Sequence, residues 1–319
     1  MSLHKLTAGD GYTYLTRQVA AQDATHRGYD DLGSYYSEKG ETPGVWMGRG
    51  IDSSLSSVPE FRAAGPVTEA QMRALFGEGR HPNADEIERA LRSAGASEKD
   101  INRGSRLGNP YKVYEQANMF HRRAAGAFRD HNLAQGLDQD NPLPPHVRAG
   151  IRSTLAAAMF RETYGRDPAD ARELSGHLAR ISRQATTAVA GYDMTFSPVK
   201  SVSTLWAIAP REVSAQIEQA HHDAVKGTLT WLEDNAAYTR TGRNGVAQVK
   251  VRGLIAAAFD HRDSRAGDPD LHTHLAVSNK VQTLDGQWLA LDGRPIHKNA
   301  VTASERYNTR LEAILTERL

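Results

Sequence analysis

The histidine-rich stretch from His261 to Asn279 constrains the fold of this chain more than any other part of its sequence. Its residues read His-Arg-Asp-Ser-Arg-Ala-Gly-Asp-Pro-Asp-Leu-His-Thr-His-Leu-Ala-Val-Ser-Asn. An apolar, β-compatible run from Leu254 to Phe259 leads into it, and a second one, from Leu271 to Val277, lies within it. Turn-forming residues, Gly267, Asp268 and Pro269, lie between the two runs. The pattern predicts two neighbouring strands joined by a turn.

Three histidines can meet on one face of this pair of strands. His272 and His274 lie two residues apart, so the alternation of side chains along a strand points both imidazoles the same way. His261, on the neighbouring strand, can join them. Three imidazoles that leave coordination positions open are a suitable ligand set for a catalytic metal that also holds water or a substrate phosphate. Strand histidines that are only solvated or hydrogen-bonded are the alternative interpretation.

Composition predicts an ordinary soluble protein and excludes a uniformly basic nucleic-acid-binding surface. The chain has 319 residues, 39% of them hydrophobic, and a formal net charge of +1, so any nucleic-acid binding has to come from local patches. It contains no apolar run of about 18 residues that would predict a membrane span. Without cysteine or the apolar core of a secretory signal, we expect a cytoplasmic location.

Two pairs of tyrosines mark the N-terminal stretch, which is rich in glycine and turn residues. Tyr12 and Tyr14 form the first pair, and the adjacent Tyr35 and Tyr36 form the second. Amphipathic packing at the edge of a core is one interpretation of such tyrosines. Phenols that react with a substrate are the other.

Residues 66–190 change to a pattern of helices with readable ends. Thr68 and Gln71 form a capping box ahead of an apolar run, and Gly77 is predicted to end that helix. We expect these residues to form a helical block inserted before the strand that contains Asp193.

Asp193 lies inside the next predicted strand, which follows Gly191. An acid is disfavoured within a strand unless another group holds it, so Asp193 is a candidate partner for a histidine, a metal or a reacting proton. Ser197 and Pro198 then predict the N-cap and first residue of a helix. That helix start, together with Lys200, could hold a phosphate, and simple capping is the alternative.

The next predicted helix runs from Pro210 to about Asn235 and contains two adjacent histidines, His221 and His222. Adjacent residues cannot share one face of a helix. Both are therefore predicted to lie at the surface.

A basic hairpin is predicted after this helix. Four basic residues and no acid flank the turn at 241–245, namely Arg240, Arg243, Lys250 and Arg252. A hairpin of this composition is a credible clamp for a phosphate backbone.

Together, a histidine metal site, a strand carboxylate, clustered tyrosines and a basic hairpin favour phosphoryl transfer. The metal would bind the non-bridging oxygens of a phosphodiester. A tyrosine, with an ordinary pKa of about 10, would attack once a neighbouring group has drawn off its proton.

These motifs resemble those of the MobF class of conjugative relaxases, the TrwC/TraI-type enzymes of the HUH endonuclease superfamily. The likeness starts with the tyrosine clusters and the segment of Trp46 and Gly48. It continues with Gly-Tyr-Asp-Met-Thr-Phe-Ser-Pro-Val-Lys-Ser-Val-Ser from Gly191 and with Asp-Pro-Asp-Leu-His-Thr-His from Asp268. The segments occur in this order and span most of the chain.

The resemblance implies roles for particular residues. The three histidines match the metal ligands of the family, and Asp193 matches the acid that orients a ligand histidine and assists the nucleophile. Family members usually carry two adjacent-tyrosine pairs, whose first members transfer the strand. Here the first pair aligns as Tyr14 followed by Leu15, which favours Tyr14 over Tyr12 as the nucleophile. The second pair is intact, so Tyr35 matches a second nucleophile.

The resemblance also implies an α+β fold, in which a central antiparallel sheet carries the histidines and helices clamp single-stranded DNA. The implied reaction is site- and strand-specific nicking of origin-of-transfer DNA, through a 5′-phosphotyrosine that later rejoins the strand. Magnesium or manganese is the expected ion in cells, and zinc or nickel is possible in a purified protein. Accessory relaxosome proteins and a type IV secretion coupling protein are the implied partners.

One relaxase domain is expected to span residues 1–319. The resemblance implies a helicase after this domain in full-length relatives, whereas this chain contains no Walker A motif.

Two other functions fit parts of the pattern. A metal-dependent phosphodiesterase that uses activated water would need the same histidines, but its tyrosines would be incidental and no covalent adduct would form. A DNA-binding module with a structural metal would need a fourth ligand, because structural zinc sites are closed, and the sequence offers no convincing one.

Overall fold

The computed structural model describes residues 1–17, 43–51, 65–111, 119–139, 141–182, 187–264 and 266–319, with side chains omitted at Thr16 and Arg17. The chain divides into two compact units. The first unit comprises Met1–Lys112 and Ala188–Leu319, and the second comprises Val113–Thr187.

A five-stranded antiparallel sheet forms the centre of the first unit, as the resemblance implied. All strands of this unit are numbered in chain order: β1 (Ser2–Thr7), β2 (Val45–Met47), β3 (Val189–Phe196), β4 (Tyr238–Thr241), β5 (Ala247–Lys250), β6 (Ala256–Asp263), β7 (Pro269–Ser278), β8 (Lys280–Gln282) and β9 (Trp288–Ala290). The central sheet has the order β1-β3-β7-β6-β2, while β4-β5 and β8-β9 form separate two-stranded sheets. The predicted pair of strands around the histidines is confirmed as β6 and β7, which are antiparallel neighbours.

The helices of both units are likewise numbered in chain order. They are α1 (Thr13–Arg17), α2 (Glu69–Met72), α3 (Ala84–Ser93), α4 (Glu98–Ser105), α5 (Met119–Ala134), α6 (Pro145–Tyr164), α7 (Ala171–Ile181), α8 (Lys200–Ile208), α9 (Arg211–Asn235), α10 (Gly293–Lys298) and α11 (Ala300–Arg318). Short 3-10 turns occur at Asp10–Tyr12 and Arg243–Gly245, and a π-helical segment, Arg73–Glu78, follows α2. None of the described helices is long and apolar enough to cross a membrane.

The central sheet has two faces of different character, because side chains alternate along each strand. The front face carries Phe259, His274 and Ala276, and the rear face carries Thr273 and Leu275. A core of apolar residues covers the front face, including Leu6, Tyr12, Leu15, Trp46 and Phe76. Apolar residues of α9 and α11 cover the rear face, including Leu229, Leu232 and Tyr307.

The edge strand β2 is attached through close backbone contacts that require glycine. Gly48 has φ of 102°, and a Cβ there would lie 2.2 Å from the Leu254 carbonyl oxygen. The buried carboxylate of Glu233, on α9, accepts hydrogen bonds from the backbone N–H groups of Arg49 (2.7 Å) and Leu254 (2.9 Å). A single side chain of α9 thus joins the residues that follow β2 to the segment that leads into β6. Trp46, on β2, is buried in the front-face core.

The predicted helix ends agree with the structure at some sites and differ at others. The capping box of Thr68 and Gln71 is present, with the Gln71 N–H donating to Thr68 Oγ1 at 3.2 Å. The helix does not end at Gly77, because it continues as the π-helical segment to Glu78 and stops at Gly79, whose φ is 73°. Helix α8 begins at Lys200 with Val199 as its N-cap, so the predicted start at Ser197 and Pro198 is wrong by two residues.

The predicted helical block at 66–190 falls into both units. Its helices α2, α3 and α4 belong to the first unit, and α5, α6 and α7 form the second. In the second unit, α6 begins with Pro145 at its first position and ends at Gly165, whose left-handed conformation has φ of 68°. Both ends follow the preferences of proline and glycine for these positions.

Candidate active site

Three histidines converge on the front face of the central sheet. His261 and His272 are directly paired across β6 and β7, and His274 is two residues further along β7. Their ring centroids lie 5.0 to 5.3 Å apart. One nitrogen of each ring can be chosen so that all three lie within 4.8 Å of one another. The predicted three-histidine cluster is therefore present, with a geometry that allows one ion to bind all three rings.

Each imidazole of this cluster uses one nitrogen for a bond to the protein. The Nδ1 atom of His274 lies 2.9 Å from Asp193 Oδ2, and the Nδ1 atom of His272 lies 2.7 Å from the Asp270 carbonyl oxygen. Both partners accept hydrogen bonds, so Nδ1 carries a proton in each ring and Nε2 is the nitrogen left to face a metal. His261 hydrogen-bonds to the backbone of Leu15. Such partners orient ligand histidines and fix their tautomers.

Burial favours the neutral form of two of these imidazoles, those of His261 and His272. Burial, with the neighbouring imidazoles of His274 and His272, lowers the pKa of His261 to about 3. Burial also lowers the pKa of His272. Neutral imidazoles are the form that coordinates a metal. Three imidazole donors in a fixed triangle therefore fit a divalent metal ion, with coordination positions left for water or a phosphate oxygen.

Tyr14 lies beside this cluster in contact with Asp193. Its hydroxyl donates to Asp193 Oδ2 at 2.5 Å, and its ring lies edge-on to His274 with centroids 6.2 Å apart. Burial, followed by the negative charge of Asp193 and its hydrogen bond, raises the pKa of Tyr14. The phenol is protonated at neutral pH, and its hydroxyl is in hydrogen-bond contact with the Asp193 carboxylate.

Tyr12 lies in a different environment from Tyr14. It is 3% exposed within the front-face core, and its hydroxyl donates to Glu69 Oε1 at 2.8 Å. The predicted second pair, Tyr35 and Tyr36, lies outside the described residues. Of the tyrosines in the two clusters that the structure describes, Tyr14 is the one whose hydroxyl contacts the Asp193 carboxylate.

Lys200 stands at the start of α8, close to the beginning of β7. Its ammonium group donates to Asp268 Oδ2 and to the Pro269 carbonyl oxygen, the latter at 2.7 Å. The predicted phosphate contact at Lys200 would therefore compete with an ion pair inside the molecule.

The predicted basic hairpin is confirmed as β4 and β5, and its cations fall into two groups. Arg240 donates to the Gly245 carbonyl oxygen at 2.6 Å and pairs with Asp292 at 3.3 Å, and Arg252 donates to the Thr283 carbonyl oxygen at 3.2 Å. Arg243 and Lys250 are exposed, and neither forms an ion pair with another residue in the described parts of the chain. They are the hairpin cations best placed to meet a phosphate.

Several groups at the site were not predicted as site residues. Thr195 Oγ1 lies 3.3 Å from His274 Nδ1, and the alternation from Asp193 places it on the same face of β3. His221 was predicted at the surface, and this prediction is wrong. It is fully buried behind the sheet and contacts Thr273. Thr273 lies between His272 and His274 on β7. His222 is partly exposed, in agreement with the prediction, and contacts Asp260 at 2.8 Å.

Comparisons with known sequences agree with these motifs. The model of the TrwC relaxase family matches residues 8–319. The multifunctional conjugation protein TraI of Escherichia coli is 34% identical over 122 residues, which is 38% of this chain and 7% of TraI. TraI of strain K12 is 33% identical over the same length. The chain thus spans a small part of the length of these curated relatives.

Solved structures of conjugative relaxase TrwC with oriT DNA are also similar. The copper-bound complex is 22% identical, with 99% of this chain and 70% of that chain covered and a TM-score of 0.46. The metal-free complex is 33% identical over 50% of this chain and 58% of that chain, with a TM-score of 0.38. Because the family model covers nearly the whole sequence, the chain belongs to the TrwC relaxase family, as its likeness to MobF-class relaxases predicted.

Proposed function

We propose that this chain is a conjugative relaxase, which nicks one strand of origin-of-transfer DNA by tyrosine transesterification and later rejoins it. The observation that carries the proposal is the contact of the Tyr14 hydroxyl with Asp193, 2.5 Å long, beside the three-histidine cluster. A nucleophile, the base that takes its proton and a group of metal ligands are the parts that this reaction requires. Membership of the TrwC relaxase family supports the same function.

In the proposed reaction, Tyr14 is the nucleophile and Asp193 is the general base. The phenol proton passes to Asp193 while the phenol oxygen bonds to the scissile phosphorus. The bond from phosphorus to the 3′ oxygen breaks, and the 3′ oxygen leaves with the electron pair and takes a proton from water, while Asp193 returns its proton to water. The 5′ phosphate remains on Tyr14, and the DNA gains a free 3′-hydroxyl. The bond between Asp193 and His274 would hold the carboxylate in the correct orientation.

His261, His272 and His274 would hold a divalent ion through the nitrogens that face one another. When bound, the ion would withdraw negative charge from the non-bridging oxygens of the phosphate. We propose magnesium or manganese as the ion in cells and zinc or nickel as ions that a purified protein retains. A purely imidazole donor set favours the transition metals over magnesium.

The phosphotyrosine conserves the energy of the phosphodiester, so a 3′-hydroxyl can displace Tyr14 and rejoin the strand without a nucleotide cofactor. Tyr35 is proposed as the nucleophile of a second cleavage at termination. Arg240, Arg243, Lys250, Arg252 and Lys200 are proposed to hold the phosphate backbone, with Arg243 and Lys250 as the stronger candidates.

Residues 1–319 are proposed to act as a single relaxase domain. It would work in the cytoplasm with accessory relaxosome proteins and a type IV secretion coupling protein.

The proposal is tested by the two ends that cleavage produces. Purified protein and manganese are mixed with a single strand that contains the nic site of the element encoding this chain, labelled at either end. We expect the fragment upstream of the nick to end in a 3′-hydroxyl that a polymerase can extend. The downstream fragment, joined to the protein through its 5′ phosphate, should migrate with the protein in denaturing gels. Efficient cleavage that leaves the downstream fragment free of protein would instead indicate a phosphodiesterase that uses water.

A further inference from the structure

A chain of buried hydrogen bonds crosses the rear face of the sheet, opposite the histidine cluster. It joins Tyr307, His221, Thr273 and Asp260, and is called here the rear-face relay. The Tyr307 hydroxyl lies 2.7 Å from His221 Nδ1, His221 Nε2 lies 2.7 Å from Thr273 Oγ1, and Thr273 Oγ1 lies 2.5 Å from Asp260 Oδ1. Tyr307 and His221 are 0% exposed and Thr273 is 2% exposed, so these groups have no water as an alternative partner.

The direction of every bond in the rear-face relay follows from its end group. The Asp260 carboxylate accepts, so the Thr273 hydroxyl donates to it and uses its lone pairs to accept from His221 Nε2–H. His221 Nδ1 then has no proton and accepts from the Tyr307 hydroxyl. The second Asp260 oxygen accepts from His222 Nε2 at 2.8 Å. The relay is thus fully satisfied in one arrangement only, which makes it a specific geometric constraint.

Two residues of the relay are direct chain neighbours of the proposed metal ligands. Thr273 lies between His272 and His274, and Asp260 directly precedes His261. Asp260 and Thr273 are paired across β6 and β7, next to the pair formed by His261 and His272. The register of the two strands shifts immediately after His261. A bulge leaves the local ladder interrupted, so the backbone alone fixes the ligand positions less firmly at this point.

We propose that the rear-face relay is a positioning device for the metal centre, which fixes β6 against β7 so that the three ligand imidazoles converge. Thr273 is its central residue, because it links Asp260 on β6 to His221 on α9. This inference rests on the metal centre in the proposed function. The relay residues do not touch the ion or the substrate, and they act only through the strands that carry the ligands.

The test compares two buried threonines by titration with cobalt(II), whose visible absorption reports coordination geometry. Thr273→Val removes the central hydroxyl of the relay, and Thr273→Ser restores it. Thr228→Val is the matched control, because Thr228 is 1% exposed and its hydroxyl makes only a local bond to the Ala224 carbonyl oxygen in α9. We expect Thr273→Val to weaken cobalt binding about tenfold or more and to change the absorption bands. Thr273→Ser and Thr228→Val should bind like the wild type.

Unchanged cobalt affinity and absorption in a folded Thr273→Val protein would overturn the inference. If this variant does not fold, Tyr307→Phe decides, since it removes only the bond furthest from the ligands. A weaker cobalt affinity in Tyr307→Phe supports the relay, and an unchanged one overturns it. The wild type and His272→Ala are titrated in parallel. If the wild type binds no cobalt, or if His272→Ala binds it as tightly as the wild type, the proposed metal centre is refuted. Nicking is measured in a separate assay, so failure of the proposed reaction can be distinguished from failure of the relay.

Discussion

At the scale of single residues, the proposed chemistry depends on the carboxylate of Asp193. Asp193→Asn keeps the size of the side chain, but its amide cannot take the Tyr14 proton. We expect the single-turnover rate of cleavage to fall by about 10²- to 10⁴-fold, the usual contribution of a general base. Glu69→Gln is the control, because it alters the carboxylate that faces Tyr12 and should leave the rate near that of the wild type. Equal rates in Asp193→Asn and wild type would remove Asp193 from the mechanism.

A second prediction at this scale concerns the histidine cluster. His272→Ala and His274→Ala should each abolish cleavage, because two imidazoles hold the ion less tightly and in a less defined geometry. Thermal unfolding and fluorescence anisotropy with a single-stranded oligonucleotide should show that the fold and most of the DNA binding remain. Full cleavage by both variants after treatment with a chelator would show that no metal takes part.

The residues that meet at the site could be predicted where their position follows from the alternation of side chains along a strand. His272, His274 and His261 share a face because of their spacing and pairing, and Asp193 stood out as an acid in a strand. The partner of Lys200 could not be predicted, because Asp268 lies 68 positions away in sequence. His221 was missed because its burial depends on which face of α9 packs against the sheet, and a helix with polar residues on several faces does not reveal that choice.

At the scale of elements, the β4–β5 hairpin is expected to carry part of the salt dependence of DNA binding. Arg243→Ala with Lys250→Ala should reduce the slope of log affinity against log salt by about 1.4, since each phosphate contact on a single strand contributes about 0.7. Arg240→Ala with Arg252→Ala should mainly destabilise the hairpin, because these arginines hold carbonyl oxygens and Asp292. Binding is measured over a series of salt concentrations. An unchanged slope in the first double variant would exclude the hairpin as a backbone clamp.

Elements were predictable from sequence where their ends carry local signals. The capping box at Thr68 marked a helix start that the structure contains. The π-helical segment that extends past Gly77 was not predicted, and its Leu75 and Phe76 pack in the front-face core. The division of the helical block into two units depends on contacts between elements that no single helix pattern reports.

At the scale of the whole molecule, buried histidines should make the metal-free protein sensitive to acid. Burial lowers the pKa of His221 from 6.5 to about 3. Between these values the unfolded chain binds a proton at this position that the folded protein does not. Stability contributed by neutral His221 is therefore present above pH 6.5 and is lost as pH falls towards 3.

This prediction is checked by urea unfolding of the metal-free protein at several pH values. Replacement of His221 by glutamine should make the dependence of the unfolding free energy on pH shallower, by about 1.4 kcal/mol per pH unit in this window. His146→Gln, at an exposed position of α6, controls for the loss of a histidine. An identical pH dependence in His221→Gln and wild type would contradict a neutral, buried His221.

The most direct test of the central claim is to identify the tyrosine that carries the DNA. The wild-type protein is incubated with manganese and a single strand spanning its nic site, digested with protease, and searched by mass spectrometry for peptides that carry a nucleotide. The account predicts the adduct on Tyr14, its loss in Tyr14→Phe and its persistence in Tyr12→Phe. An adduct on Tyr12 or Tyr35 in the first cleavage would show that this tyrosine, and not Tyr14, is the nucleophile. Efficient cleavage with no adduct on any tyrosine would contradict the account.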